Sequence, residues 1–183
     1  MKVAILTDTN SGIMTPDERA GLFTLPMPIV IGDKTYYEGE NLTEKELCRF
    51  LESGEKVTTS QPPIGLLMDK LDTILAEGFD EVVYIPMSSS LSSSCHSAIM
   101  VAKEYGGKVH VVDNHRISVT QKDSVMDALR LAKKKASGKK IARILEEDSM
   151  NCTIYLSVST LEQLKRGGRI SASAATIATV LSI

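Results

Sequence analysis

The chain has 183 residues, 43% of them hydrophobic, a formal net charge of −2 and three cysteines. That length supports one substantial core, and the near-neutral charge offers no basic surface for nucleic acid or an anionic membrane. Cys48, Cys95 and Cys152 are odd in number and widely spaced, which fits reduced thiols in a cytoplasmic protein better than a disulfide framework.

The chain opens on "VAILT" (3–7), and Lys2 runs straight into it without a charged-then-apolar leader. With "VVYIP" (82–86) and "VHVVD" (109–113) it forms a set of valine- and isoleucine-rich runs without polar alternation, the pattern of strands buried on both faces. No apolar run reaches bilayer-spanning length, so integral membrane association is not expected. Between the first two runs, "PIVIGDKTYYEG" predicts a hairpin turning near Gly32 and Asp33. Thr43 and Glu46 then form a capping box for the helix "TEKELCRFLES". This stretch, about 26–57, reads as a small appendage on one edge of the sheet.

"TTSQPP" (58–63) precedes a helix, "IGLLMDKLDTILAEG", whose first turn is expected to hold Pro62 and whose C′ residue is Gly78. Leu67, Leu71, Ile74 and Leu75 share one face of it. "MSSSLSSSCHSA" follows the run at 82–86 and places six serines among the seven residues Ser88–Ser94. The helix "SAIMVAKEYGG" comes next and closes on Gly106 and Gly107. Strand, helix, strand, helix, strand reads as βαβ crossovers over a parallel sheet, an α/β fold. Further on come helices at about 118–135 and through "KKIARILEE", broken at Ser137 and Gly138. Then follow a predicted strand "CTIYLSVS" (152–159), the element "TLEQLKRGGRIS", and an apolar end, "AATIATVLSI". An uncapped apolar end of this kind implies a missing C-terminal portion.

In an open parallel sheet, ligands bind beyond the carboxyl ends of the strands, where loops meet helix N-termini and their unpaired N–H groups. "TDTNS" (7–11), the serine run and "DNHRIS" (113–118) all fall there. The expected ligand therefore has an oxygen-rich, anionic head. No G-x-x-x-x-G-K-[ST] or G-x-G-x-x-G motif occurs, and clustered neutral hydroxyls, with Arg116 and Arg169 as the cations that could reach them, suit a carboxyl group better than a phosphate. A single hydroxyl has a plainer use: Thr59 or Ser60 would cap the following helix, and Asp8 and Asp113 would do the same elsewhere. Six serines in seven residues exceed what one cap requires.

Sharper chemistries find less support. Cys95 and His96 are adjacent on a helix and point apart, so they form no thiol–imidazole pair. His110 alternates with valines and reads as a packed residue, leaving His115 as the histidine candidate for the site. No His/Cys/Asp spacing suggests a metal, and no G-x-S-x-G elbow is present. The run "KKKASGKK" reads as a solvated helix end.

Together "ILTDTNS", "TTSQP", "MSSSLSSSCHSA", "VVDNHRIS" and "TLEQLKRGGRIS" resemble, in order, the motifs of the DegV family of bacterial fatty-acid-binding proteins. The resemblance implies a DegV-like α/β lobe over 1–150 carrying the carboxyl-binding loops. It makes 151–183 the start of a second α+β lobe, most of which this chain lacks. It implies a lipid carrier with no chemistry and no cofactor of its own. The carrier holds one long-chain fatty acid such as palmitate and presents its carboxyl to a separate fatty acid kinase, which makes acyl-phosphate for phospholipid synthesis. Carried onto this sequence, the carboxyl contacts are Thr59 and Ser92, with Ser60 and Ser89 as neighbours; Arg169 and His115 are possible head-group or partner contacts.

Ser93 stands where the family usually has glycine, Ser94 where it has threonine, and Pro63 where it has serine. A side chain at 93 would narrow the approach if the backbone there required positive φ. The family's second lobe also supplies a further histidine to the carboxyl site. The competing reading is an enzyme on a small phosphorylated or carboxylated metabolite, with a serine of 88–94 as nucleophile and Asp113 or His115 as base. A purely structural interaction module is the third.

Overall fold

Val3–Asp8 is buried at every position, so this strand must be covered on both faces. The computed structural model describes residues 1–158 and 161–171. It divides into two units, Met1–Thr153 and Ile154–Ile183. In chain order the first unit carries β1 (Val3–Asp8), β2 (Leu22–Leu25), β3 (Pro28–Ile31), β4 (Lys34–Tyr37), α1 (Glu44–Glu52) and β5 (Val57–Thr59). It continues with α2 (Ile64–Ala76), β6 (Glu81–Ile85), α3 (Ser94–Ala102), β7 (Val109–Val111), α4 (Ser118–Lys133) and α5 (Gly138–Glu147).

Four strands form a parallel sheet in the order β2-β1-β6-β7. Alternation along β1 divides the core in two. Ala4 and Leu6 pack with Phe23, Leu71, Ile74, Tyr84 and Ala98, beneath α2 and α3. Val3 and Ile5 pack with Val83, Ile85, Val125, Ala128 and Ile141, beneath α4 and α5. The result is a three-layer α/β/α unit, as the βαβ pattern requires. Val82, Val83, Ile74 and Ile141 are completely buried.

The chain passes from β1 to β2 on one side, then returns to lay β6 on β1's other side. This reversal makes a topological switch point at the carboxyl ends of β1 and β6, the place where open α/β sheets bind their ligands. Edge strand β2 has no counterpart in the sequence reading. At four residues it is too short to show a period, and its pairing with β1 is what makes it a strand.

The excursion between β2 and α2 builds its own antiparallel sheet, ordered β4-β3-β5. The hairpin turns at Gly32 and Asp33 as expected, with Ile31 opposite Lys34. The predicted capping box opens α1: Glu46 N donates to Thr43 Oγ1 at 3.3 Å, and Thr43 N to Glu46 Oε2 at 2.9 Å. Ile29, Ile31 and Leu42 form a small core here, with Tyr36, Leu47 and Phe50 against it.

One expectation needs correction, and one further strand was not foreseen. Val57–Thr59 is a strand, with Ile29 opposite Thr59. Residues 152–158 form no strand; Tyr155 is 93% exposed, and no neighbouring strand among the described residues pairs with them. High β-propensity without a partner ladder does not make a strand. The second unit contains α6 (Glu162–Arg166), which ends at Gly167 and Gly168. The apolar end at 174–183 lies outside the described residues.

Candidate functional site

Two loops at the carboxyl edge of the parallel sheet, those after β1 and β7, hold the serine run that follows β6. Asp8, at the end of β1, is fully buried and accepts from Met87 N through Oδ2 at 2.9 Å. Its Oδ1 accepts from Asn10 N at 3.1 Å, Asn10 Nδ2 at 3.0 Å and Gln121 Nε2 at 3.0 Å. Burial raises the Asp8 carboxyl above its ordinary range, and these donors only partly offset it. Beyond β7, Asp113 Oδ1 accepts from Ser89 N at 3.2 Å, and Arg116 O accepts from Ser88 N at 2.9 Å. The backbone of the serine run is thus fixed from both sides of the sheet.

Within the run, the Ser88 carbonyl accepts from Leu91 N at 3.0 Å and Ser92 N at 3.2 Å, which curls the loop into a helical turn. Ser88 Oγ accepts from Ser90 N, and Ser92 Oγ accepts from Ser94 N, each at 3.2 Å. A hydroxyl has one proton and two lone pairs. Ser92 therefore uses a lone pair at the mouth of α3 and keeps its proton for another acceptor. Ser93 has φ −71°, in the right-handed region, so a side chain at this family-atypical position brings no backbone strain. Ser94 Oγ is buried without a hydrogen-bond partner among the described residues.

The other hydroxyl cluster stands at the end of the antiparallel sheet. Thr59 ends β5 and is exposed, and Ser60 N extends the ladder to Pro28 O at 3.2 Å. Ser60 Oγ turns onto the Gln61 carbonyl at 3.2 Å. Neither Thr59 nor Ser60 caps α2. That helix starts at Ile64 with Pro63 in the cap position and no side-chain cap bond, two residues later than expected from Pro62. The two clusters meet through one bond: Ser97 Oγ, on α3, donates to Gln61 Oε1 at 2.9 Å. The sequence reading assigned no role to Gln61 or Ser97, because nothing in their spacing announces a contact across 36 residues.

The remaining candidates separate. His115 Nδ1 lies 3.5 Å from Asp113 Oδ1, next to the serine run, with φ +58°. Arg169 belongs to the second unit, where its Nη1 donates to the Gly167 carbonyl. Arg116 is buried and turned away from the hydroxyl loops: Nη1 donates to Ser124 Oγ at 3.0 Å, and Nη2 to Asp148 O and Oδ2, both at 2.8 Å. Asp8 caps the 3-10 turn Thr9–Ser11 as a cap residue should, whereas Asp113 holds Ser89 N and caps no helix. His110 Nε2 bonds Glu81 Oε1 at 2.9 Å, the packed role expected.

Burial pushes the Cys95 thiol up to about 12, which removes it as a nucleophile, and raises the Glu38 carboxyl despite a hydrogen bond from Thr9. Among the described residues no group of His, Cys, Asp or Glu could hold a metal ion, and no helix is long and apolar enough to cross a membrane.

These features place the molecule among open-sheet α/β proteins whose polar loops gather at a topological switch point. A family model described as "Uncharacterised protein, DegV family" matches residues 2–183, and the chain belongs to the DegV family. A DegV domain-containing protein of Streptomyces coelicolor is 29% identical over 182 residues, covering 99% of this chain and 65% of its own length. A DegV family protein from Thermus thermophilus, solved for its fatty acid binding, superposes with a TM-score of 0.84 at 30% identity, over 99% of this chain and 65% of its own. DegV from Bacillus subtilis, a fatty acid binding protein, gives a TM-score of 0.78 at 27% identity, over 97% of this chain and 64% of its own. The chain thus spans about 65% of the length of the curated relatives it matches.

Proposed function

We propose that this chain binds a long-chain fatty acid, holding its carboxyl group through the hydroxyls of Thr59 and Ser92. Ser60 and Ser89 flank that contact, and a fatty acid kinase takes up the presented carboxyl to form acyl-phosphate for phospholipid synthesis. The carrying observation is the state of Ser92: its oxygen accepts from Ser94 N at 3.2 Å, so its proton is free to meet an anionic oxygen. Removal of the capping role from Thr59 adds support, since α2 begins without it. So does the likeness to the Thermus thermophilus and Bacillus subtilis proteins, both fatty acid binders more than 25% identical to this chain. Thr59, Ser60, Ser90 and Ser93 are exposed, which keeps a head group bound here within reach of a second protein. His115 and Arg169 are proposed as head-group or partner contacts.

Burial of an acyl chain contributes about 0.8 kcal/mol per CH₂, so affinity should rise with chain length. Native mass spectrometry of protein purified without delipidation should find a bound fatty acid. Thr59→Ala and Ser92→Ala should each weaken palmitate binding about tenfold, the loss of a charge-assisted hydrogen bond. With a fatty acid kinase and ATP added, wild type should support acyl-phosphate formation and the double variant should not. Lipid-free protein and alanine variants with unchanged palmitate affinity would refute the reading.

The serine-enzyme reading gains only the Asp113–His115 approach at 3.5 Å. Asp113 is engaged by Ser89 N, and no hydroxyl of Ser88–Ser94 bonds His115 among the described residues.

A further inference from the structure

We infer that the Gln61–Ser97 hydrogen bond is a positioning clasp that sets the distance between the two hydroxyl clusters, making Gln61 and Ser97 determinants of ligand affinity that touch no ligand themselves. The inference rests on the carboxyl-binding reading above and adds the device that aligns its two halves.

The clusters belong to different sheets. Thr59 is fixed to β3 through the β5 ladder, and Ser60 N continues that pairing to Pro28. Ser92 is fixed to the parallel sheet through the bonds from Met87, Ser88 and Ser89. From Gln61 to Ile64 the chain must cross from one frame to the other, and Pro62 and Pro63 have no N–H with which to tie the crossing down. The Gln61 side chain supplies the tie. Its partner lies close to the serine run: Ser97 N bonds the Ser93 carbonyl at 3.1 Å, so Ser97 stands one helical turn from Ser93. Further along the same helix pair, Tyr105 Oη donates to Met68 O at 3.3 Å, so α2 and the α3 end are joined there as well. The clasp is the tie at the site end.

Gln61 is exposed and Ser97 half-buried, so the bond is worth little to overall folding. This separates a positioning role from a structural one. Gln61→Ala and Ser97→Ala should each weaken palmitate binding by roughly five- to tenfold, with the melting temperature moving by no more than a few degrees. The double variant should bind no worse than either single one, because both remove the same bond. Ser97→Thr keeps the hydroxyl, so it should restore affinity; Gln61→Glu keeps the acceptor but adds a charge that opposes an anionic head group, so it is read by exchange alone. In unliganded protein, hydrogen exchange at residues 57–61 and 88–97 should speed up in Gln61→Ala and return to normal in Gln61→Glu.

If Gln61→Ala binds palmitate like wild type while Thr59→Ala and Ser92→Ala bind weakly, the clasp has no positioning role and the inference falls alone. Faster exchange with unchanged affinity has the same consequence. Additive losses in the double variant would also overturn it. If Thr59→Ala and Ser92→Ala leave palmitate binding unaltered, the underlying reading fails, and this inference with it.

Discussion

Asp8 Oδ2 accepts the Met87 N–H at 2.9 Å, which ties the end of β1 to the entry of the serine run across the switch point. Asp8→Asn can keep one acceptor but turns an amide N–H₂ toward existing donors, and should cost about 1–3 kcal/mol. The folded carboxyl titrates above 3.8, so between that value and its raised pKa the folded state holds the proton more firmly than the unfolded chain. Asp8's contribution to stability therefore falls as pH rises through that window and is constant above it. Urea titrations of wild type and variant from pH 4 to 8 should show the difference shrinking with rising pH. A difference that grew would contradict the assignment.

Gln121 is fully buried, and its Nε2 faces three oxygens: Thr7 Oγ1 at 3.1 Å, Asp8 Oδ1 at 3.0 Å and Ile85 O at 3.1 Å. Gln121→Leu removes the donor and should cost about 1–3 kcal/mol. Gln121→Glu should be worse than Leu near neutral pH, because it sets a second carboxylate beside Asp8. Denaturation midpoints of the two variants test this order.

A Cβ on Gly138 would lie 2.5 Å from His110 Cδ2 and 3.3 Å from Glu81 Cβ. Glu81 bonds both neighbours, accepting from Gly138 N at 2.7 Å. Gly138→Ala should therefore displace the imidazole and cost about 1–3 kcal/mol. In a His110→Ala background most of that penalty should vanish, a non-additivity measurable by a double-mutant cycle.

Cys95 is buried with its thiol pushed up to about 12, whereas Cys48 is exposed. Thiolate is the reactive form. A thiol reagent at pH 7.5 should label Cys48 rapidly and Cys95 only after denaturant is added. Rapid labelling of Cys95 in folded protein would show that α3 opens readily.

The apolar runs at 3–7, 82–86 and 109–113 were legible as three of the four strands of the parallel sheet, because strands buried on both faces leave no room for polar alternation. The capping box at Thr43 and Glu46 and the helix end at Gly78 were equally legible, being local chemistry within a few residues. So were the motifs that carry the family, since six serines in seven residues exceed what one helix cap requires. The sequence did not reveal β2 or β5, whose few residues become strands only through their partners, and it overread 152–158, which has the propensity but no ladder. It left open whether Thr59 caps a helix, whether Ser93 is strained and where Arg116 points. Those answers depend on groups far along the chain: Pro63 at the start of α2, the curl of Ser88–Ser92, and Asp148 and Ser124 around the guanidinium. Local propensity is encoded residue by residue, whereas the approach of Gln61 to Ser97 exists only once two separately built sheets are packed, which is why tertiary structure alone decided it.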